Sequence, residues 1–291
     1  MSALPAIDPG SLLPGLAVRT TTVDGLVVRS AGHGPTLLLL HGGTGSWTHW
    51  VRNMAALAAH CHIVVPDLPG MGESRDAGDD DDLDAYGARL LAALDAGLIP
   101  PGELFGVAGF SFGALVAAWL AARLPERVTG ACLLGPGGFP PGTSERPPLL
   151  RVPPGASSAE EDAVHRRNLE LLMVHSPERI DALTVAMQRR NHSLSRYRVR
   201  RVGYTDSLSP SLRRARCPVL CILGALDPLP RPDTAARAAY LESIAPGVRC
   251  DVVPDASHWV GYEQPEATNA LMLAFFNARG ARNTASDYRG S

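Results

Sequence analysis

The chain has 291 residues, 45% of them hydrophobic, and a formal net charge of −2, so it can bury one large α/β core and offers no basic surplus for nucleic acid. All 27 basic residues are arginine, which excludes a catalytic lysine. No stretch is long and apolar enough to span a bilayer, and Met1 to Gly10 lacks the basic start and apolar core of a secretory leader, so a cytoplasmic protein is expected.

Ala17 to Val23 and Leu26 to Ser30 alternate as strands, and Asp24-Gly25 between them signals a tight hairpin. Thr36 to Leu40 is a short continuous apolar run, the pattern of a fully buried strand. It enters His41-Gly42-Gly43-Thr44-Gly45-Ser46, a glycine-rich loop whose backbone can approach a ligand closely. Phosphate binding lacks the Gly-Lys-Ser/Thr ending, so an oxyanion loop is the better reading. A helix is expected over Trp50 to Ala59, a strand over His62 to Val65, and then a loop, Pro66 to Ser74, punctuated by Pro and Gly. Asp76, Asp79 to Asp82 and Asp84 form an acidic run that reads as solvated charge or helix-start charge. Leu83 to Leu98 reads as a helix.

Leu104 to Ala108 is strand-like, Ala114 to Leu124 is helix-like, and Gly109-Phe110-Ser111-Phe112-Gly113 joins them. A serine on a sharp strand-to-helix turn has a strained backbone, and the positions two before and two after it favour glycine for lack of room. The turn lifts the hydroxyl above the sheet, and the helix N-terminus favours developing negative charge. Ser111 is therefore the candidate nucleophile.

Val128 to Leu134 reads as the next strand, closed by Gly135-Pro136-Gly137-Gly138. The composition then shifts. Residues 137–216 hold 14 Arg against 8 acids, a balance of +6, while the remainder is at −8. Strand patterning stops, and helices are expected from Ser158 to Val174 and Glu178 to Arg190, an inserted helical lid. Strand character returns at Val219 to Leu223, followed by Gly224-Ala225-Leu226-Asp227-Pro228. A helix near Thr234 to Ala245, a strand at Val248 to Val253, the loop with Ser257-His258-Trp259 and a helix from Pro265 to Arg279 complete the chain, with a disordered tail expected from Asn283. Cys61, Cys132, Cys217, Cys221 and Cys250 are odd in number and several lie in apolar runs, so they read as reduced, buried thiols; Cys217 and Cys221 have metal-like spacing but no histidine nearby. Strands alternating with helices argue for a mostly parallel, doubly wound sheet, in which function gathers at the carboxyl ends of strands. The loops carrying His41-Gly42-Gly43, Ser111, Asp227 and His258 all fall there.

With Asp67-Leu68-Pro69-Gly70-Met71-Gly72-Glu73-Ser74, these pieces and their order, Ser then Asp then His, resemble the α/β-hydrolase family across nearly the whole chain. The resemblance implies an α/β-hydrolase core over residues 1–137 and 213–291 and a helical lid over 138–212. It implies Ser111 as nucleophile, His258 as the base that takes its proton and passes it to the leaving group, and Asp227 as the residue that holds the imidazole. Asp255 is the rival acid, but it shares a short loop with His258. The implied oxyanion donors are the backbone N–H groups of Gly43 and Phe112. His41 reads as a brace for its own loop. Gly42, Phe110, Arg189, Arg190 and Trp259 are candidate substrate contacts, although Trp47, His49, Trp50 and Trp259 each read singly as core. The expected reaction is hydrolysis of a carboxylic ester of a small organic substrate through an acyl-enzyme. C–C bond hydrolysis of a meta-cleavage product is the runner-up, since His258 to Glu263 resembles that subfamily, though Phe110 stands where many of its members carry Asn. Ser111 argues against epoxide hydrolases and haloalkane dehalogenases, which use aspartate. Cofactor-free dioxygenases, perhydrolases, lyases and a ligand receptor stay open. No cofactor, metal, nucleic acid or membrane partner is expected, and a homodimer is left open. For the lid arginines two readings compete: surface pairing with Glu170, Glu178 and Asp181, or reception of a substrate carboxylate by Arg189, Arg190, Arg196, Arg198, Arg200 or Arg201.

Overall fold

The computed structural model describes residues 7–78, 82–199, 202 and 205–287, with side chains described as far as residue 278. Arg200, Arg201 and Asp79 to Asp81 lie outside them. Eight strands form one sheet: β1 Arg19–Val23, β2 Leu26–Ala31, β3 Thr36–Leu40, β4 His62–Pro66, β5 Phe105–Phe110, β6 Val128–Leu134, β7 Val219–Gly224 and β8 Val248–Val253. Their order is β1-β2-β4-β3-β5-β6-β7-β8. Only β1 with β2 and β2 with β4 pair antiparallel; every other pairing is parallel, as expected for the fold. The β1–β2 hairpin turns on Asp24 (φ 46°) and Gly25 (φ 74°), the left-handed pair that a two-residue turn of this kind requires.

The central strands β3, β5 and β7 are buried on both faces because helices cover both, whereas the edge strands β1 and β8 are largely open to solvent. Leu38 and Leu40 of β3 join one apolar cluster, and Leu37 and Leu39 join the other, since alternate side chains of a strand point to opposite faces. The first cluster takes in α3 (Leu83–Ala93) and α4 (Phe112–Arg123); the second takes in α2 (Met54–Ala58) and α10 (Pro265–Asp287), while a short α1 (Pro9–Leu12) precedes β1. Every residue of α4 from Phe112 to Ala121 is buried. That helix lies against β5 and β6 on one side and is covered by α3 and by α7 (Leu208–Arg214) on the other.

Several boundaries differ from the sequence expectation, each for a local reason. The expected Trp50–Ala59 helix is a 3-10 turn, Trp47–Trp50, capped by Ser46, followed by α2. Asn53 between them spends its side chain on Gly261 and Asn269. The helix from Leu83 leaves α geometry after Ala93 and reaches Gly97 at φ 94°. In the 138–212 segment α5 (Ser158–Asn168) starts at a capping box of Ser157 and Glu160. The second expected helix splits, because the Asp181 carboxylate accepts the Thr184 N–H at 2.7 Å and starts α6 (Ala182–Leu194). No described residue of this segment joins the eight strands; Ser144 makes an isolated bridge to Pro230. Helix α7 straddles the expected boundary at residue 212. After α8 (Thr234–Ile244) and β8 comes a short α9 (Val260–Glu263), which sequence reasoning missed, and α10 continues past Arg279 into the stretch expected to be disordered. Among the described residues no helix is long and apolar enough to cross a membrane.

Candidate active site

Ser111 sits between β5 and α4 at φ 52°, ψ −112°, outside the usual regions for a residue with a side chain. The surroundings hold it there. A Cβ at Gly109 would run into the Gly113 carbonyl, and one at Gly113 would run into the carbonyls of Leu40 and His41. The Ser111 N–H donates to the Leu134 carbonyl of β6 at 2.8 Å. The two glycines are thus explained by backbone crowding around the elbow.

His258 Nε2 lies 3.0 Å from Ser111 Oγ, and His258 Nδ1 lies 2.8 Å from Asp227 Oδ2. The His258 and Asp227 side chains are 4% and 5% exposed. A carboxylate facing Nδ1 holds the proton on that nitrogen and leaves Nε2 as the acceptor for the serine O–H. The other Asp227 oxygen accepts the Leu229 N–H at 2.9 Å, which fixes the carboxylate plane. Asp255, the rival acid, is exposed and takes no part in this contact. The loop before His258 is pinned by Glu263, which is fully buried. Its two oxygens accept the N–H groups of His175 (2.8 Å), Ser176 (3.0 Å) and Ser257 (2.6 Å), tying the inserted segment to the histidine loop. Sequence reasoning missed this residue; the only signal was a glutamate in an otherwise apolar stretch.

Gly43 and Phe112 both line the cleft beside Ser111. Among the described residues neither backbone N–H donates to a protein acceptor. His41 Nε2 accepts the Leu68 N–H at 2.8 Å, so its Nδ1 carries the proton and donates to the Gly42 carbonyl, also at 2.8 Å. In a trans peptide the carbonyl and the next N–H point opposite ways. Holding Gly42 O toward His41 therefore turns the Gly43 N–H away from it. On the near side the Gly42 N–H donates to His49 Nδ1 at 3.1 Å. Burial pushes the pKa of His41 down and that of His49 down further, so both stay neutral and keep these roles.

The cleft holds about 1280 Å³ between these loops and the inserted segment. Leu115, Phe139, Leu172, Met173 and Val199 give it apolar walls. Gly42 and Phe110 line it as expected, and the Phe110 ring lies 5.2 Å from the His258 ring. Three expected substrate contacts do not. Arg189 pairs with Asp162 at 3.1 Å, Arg190 pairs with Glu73 at 2.8 Å, and neither lines the cleft. Trp259 is 2% exposed, stacks on Tyr262 at 4.1 Å and donates its indole N–H to the His49 carbonyl. Arg196 is drawn to Asp76, whereas Arg198 does line the cleft. Sequence reasoning also missed Arg146, Arg151 and Arg237, and a polar wall of His165, Asn168, Gln188 and His192. The signal for that wall was spacing: His165, Asn168 and Leu172 recur at helical intervals, as do Gln188 and His192. Burial, with His192 facing it at 5.4 Å between rings, lowers the His165 pKa to about 4. None of the five cysteines is in a disulfide; burial raises the thiol pKa of Cys61 and Cys132, and a hydrogen bond with the Cys250 thiol, followed by burial, raises that of Cys221.

The chain is 29% identical over 287 residues, 92% of its own length and 71% of the relative's, to the dihydrolipoyllysine-residue acetyltransferase component of the acetoin cleaving system of Cupriavidus necator. It is 26% identical over 264 residues, 85% and 90% of the two chains, to the 2-hydroxy-6-oxo-6-phenylhexa-2,4-dienoate hydrolase of Burkholderia cepacia. The solved structure of an esterase from Rhodococcus sp. ECU1013 superposes with a TM-score of 0.71 at 25% identity, covering 90% of this chain and 99% of that one. A family model described as the alpha/beta hydrolase family matches residues 37–271, a span that runs from β3 through the elbow, Asp227 and His258, and the chain belongs to that family.

Proposed function

We propose that this protein hydrolyses carboxylic esters of small organic substrates through an acyl-enzyme. The observation that carries the reading is the relay Ser111 Oγ–His258 Nε2–His258 Nδ1–Asp227 Oδ2, with steps of 3.0 and 2.8 Å, at the floor of a largely apolar cleft. Ser111 Oγ attacks the ester carbonyl while its proton passes to His258 Nε2. Asp227 stabilises the imidazolium without taking its proton. The oxyanion is received by the N–H groups of Gly43 and Phe112, which supply roughly 3–4 kcal/mol per donor in comparable sites. Collapse of the tetrahedral intermediate sends the Nε2 proton to the departing alkoxide and leaves the acyl group on Ser111. Water, deprotonated by His258, then releases the acid. The segment 138–212 acts in this reading as a cap that supplies the outer walls of the cleft.

The test is covalent labelling by a fluorophosphonate together with turnover of a p-nitrophenyl ester. A burst of one equivalent of p-nitrophenol followed by slower turnover supports the acyl-enzyme. Labelling of Ser111 without turnover points instead to a ligand receptor on the same fold. A second reading, C–C bond hydrolysis of a vinylogous diketo acid, is favoured by the likeness to the Burkholderia cepacia hydrolase over 264 residues. Disappearance of the dienoate chromophore with no ester activity would select it.

A further inference from the structure

Helix α6 reaches the loop that carries the Gly43 N–H. Asn191, 1% exposed on α6, donates from Nδ2 to Thr48 Oγ1 at 2.9 Å and accepts from Ser46 Oγ at Oδ1 at 2.7 Å. Ser46 Oγ and Thr48 Oγ1 are 2.9 Å apart. One direction of donation satisfies all three groups: Asn191 N–H to Thr48, Thr48 O–H to Ser46, Ser46 O–H to the Asn191 carbonyl. A closed ring of this kind reinforces each member, and it is buried, where a broken member is costly. The adjacent Arg190 pairs with Glu73, whose backbone N–H donates to Asp67 Oδ2 at 3.0 Å. Asp67 Oδ1 in turn accepts the Trp47 N–H at 2.8 Å. Consecutive residues of α6 therefore grip the Ser46–Thr48 stretch by two separate routes, with a sequence separation of 145 between Asn191 and Ser46.

We propose that Asn191 is a positioning residue for the oxyanion loop, so that the seating of α6 on the core sets the place of the Gly43 N–H. Ser46 follows the Gly42–Gly45 turn directly. His41 and His49 hold the turn at its start, and Asn191 holds its far end. A displacement of α6 is thereby passed to the oxyanion donor, and the hole is complete only with α6 in place. The inference rests on the acyl-enzyme reading of the same site.

The test compares Asn191→Ala with the whole wild-type chain on a neutral p-nitrophenyl ester, and measures inhibition by a boronic acid, which forms a tetrahedral anion on the serine oxygen. Deleting an oxyanion donor costs roughly 10²–10³-fold in kcat, so misplacing one is expected to cost about ten- to a hundredfold. KM should change by less than about threefold, and boronate affinity should fall by the same factor as kcat, as expected for an interaction made only in the transition state. Leu183→Ala, at an exposed position of α6 outside the ring, should move neither quantity. If Asn191→Ala does not fold, Thr48→Val breaks the ring at constant shape and carries the same expectation. Wild-type kcat and boronate affinity in a folded ring variant, or an equal loss in Leu183→Ala, would overturn the proposal. A wild-type protein that neither labels at Ser111 nor turns over esters would instead sink the acyl-enzyme reading beneath it.

Discussion

An ester that carries a carboxylate is expected to outperform a neutral ester of equal length. Among the described residues the charged side chains lining the cleft are Arg146, Arg151, Arg198 and Arg237 against Asp227 alone, and that carboxylate is committed to His258. Arg237 is fixed by Thr143 and Ser144 with its guanidinium 3.5 Å over the Phe139 ring. Burial lowers its pKa to about 10, so it remains a cation at neutral pH. Arg151 and Arg198 are exposed and make no ion pair among the described residues. By contrast Arg167, Arg189, Arg190 and Arg196, away from the cleft, are all paired with acids. An exposed ion pair contributes about 0.2–1 kcal/mol. Two such arginines give up to about 2 kcal/mol, or roughly thirtyfold in kcat/KM at about 1.4 kcal/mol per factor of ten. The effect is electrostatic and must fade as the Debye length shrinks from about 30 Å at 0.01 M salt to about 3 Å at 1 M. The assay compares the p-nitrophenyl half-ester of adipic acid with its methyl-capped neutral twin at both ionic strengths. Arg151→Gln with Arg198→Gln should bring the ratio toward one, while Arg213→Gln, on the exposed side of α7, should leave it unchanged. Equal kcat/KM for the two esters at low salt would refute the reasoning and leave the arginines as surface charge.

Ser111→Ala should abolish turnover and leave Tm nearly unchanged, and wild-type esterase activity in that variant would end the acyl-enzyme reading. Asp227→Asn should lower kcat by roughly 10⁴-fold, because an amide cannot hold the proton on Nδ1, while the oxyanion donors keep a residual rate above water. Glu263→Ala would strip three backbone N–H groups of their acceptor; at about 1–3 kcal/mol for a buried unsatisfied group, a Tm loss of several degrees with a disordered His258 loop is expected, and unchanged melting would count against it. His165 has a folded pKa of about 4, below its unfolded value. Between about pH 4 and 6.5 the unfolded chain binds a proton that the folded one does not, so stability falls as pH drops through that window. His165→Gln should flatten that slope in denaturant titrations, and an unaltered slope would remove His165 as its source.

What the sequence determined by itself is what short range dictates. The continuous Leu37–Leu40 run has no solvent face and must be covered on both sides, as the two clusters on either side of β3 show. Gly109 follows from the crowding of a strand-to-helix elbow within five residues, while Gly113 answers to the Leu40 and His41 carbonyls at the end of the neighbouring strand, and both are readable as one pattern because the elbow always meets that neighbour. The positions of Ser111, Asp227 and His258, each past the carboxyl end of a strand, put them at one edge of a parallel sheet by topology alone. Helix ends were less legible. Asp181 and Asn53 each spend a side chain where the hydrophobic period alone would run a helix straight through. Partner choice was not legible at all. Arg189 and Arg190 carry the same charge, and nothing local says that one meets Asp162 and the other Glu73. Nor does it say that Arg198 faces the cleft while Arg196 turns to Asp76. The pairs with Glu73 and Asp76 join residues far apart in the chain and exist only because the inserted segment lies on the core, and Arg189 meets Asp162 only because α5 and α6 pack on each other. The same holds for Asn191 and Ser46: each is an ordinary polar residue until the tertiary fold removes water from between them, and burial then makes their hydrogen bond obligatory.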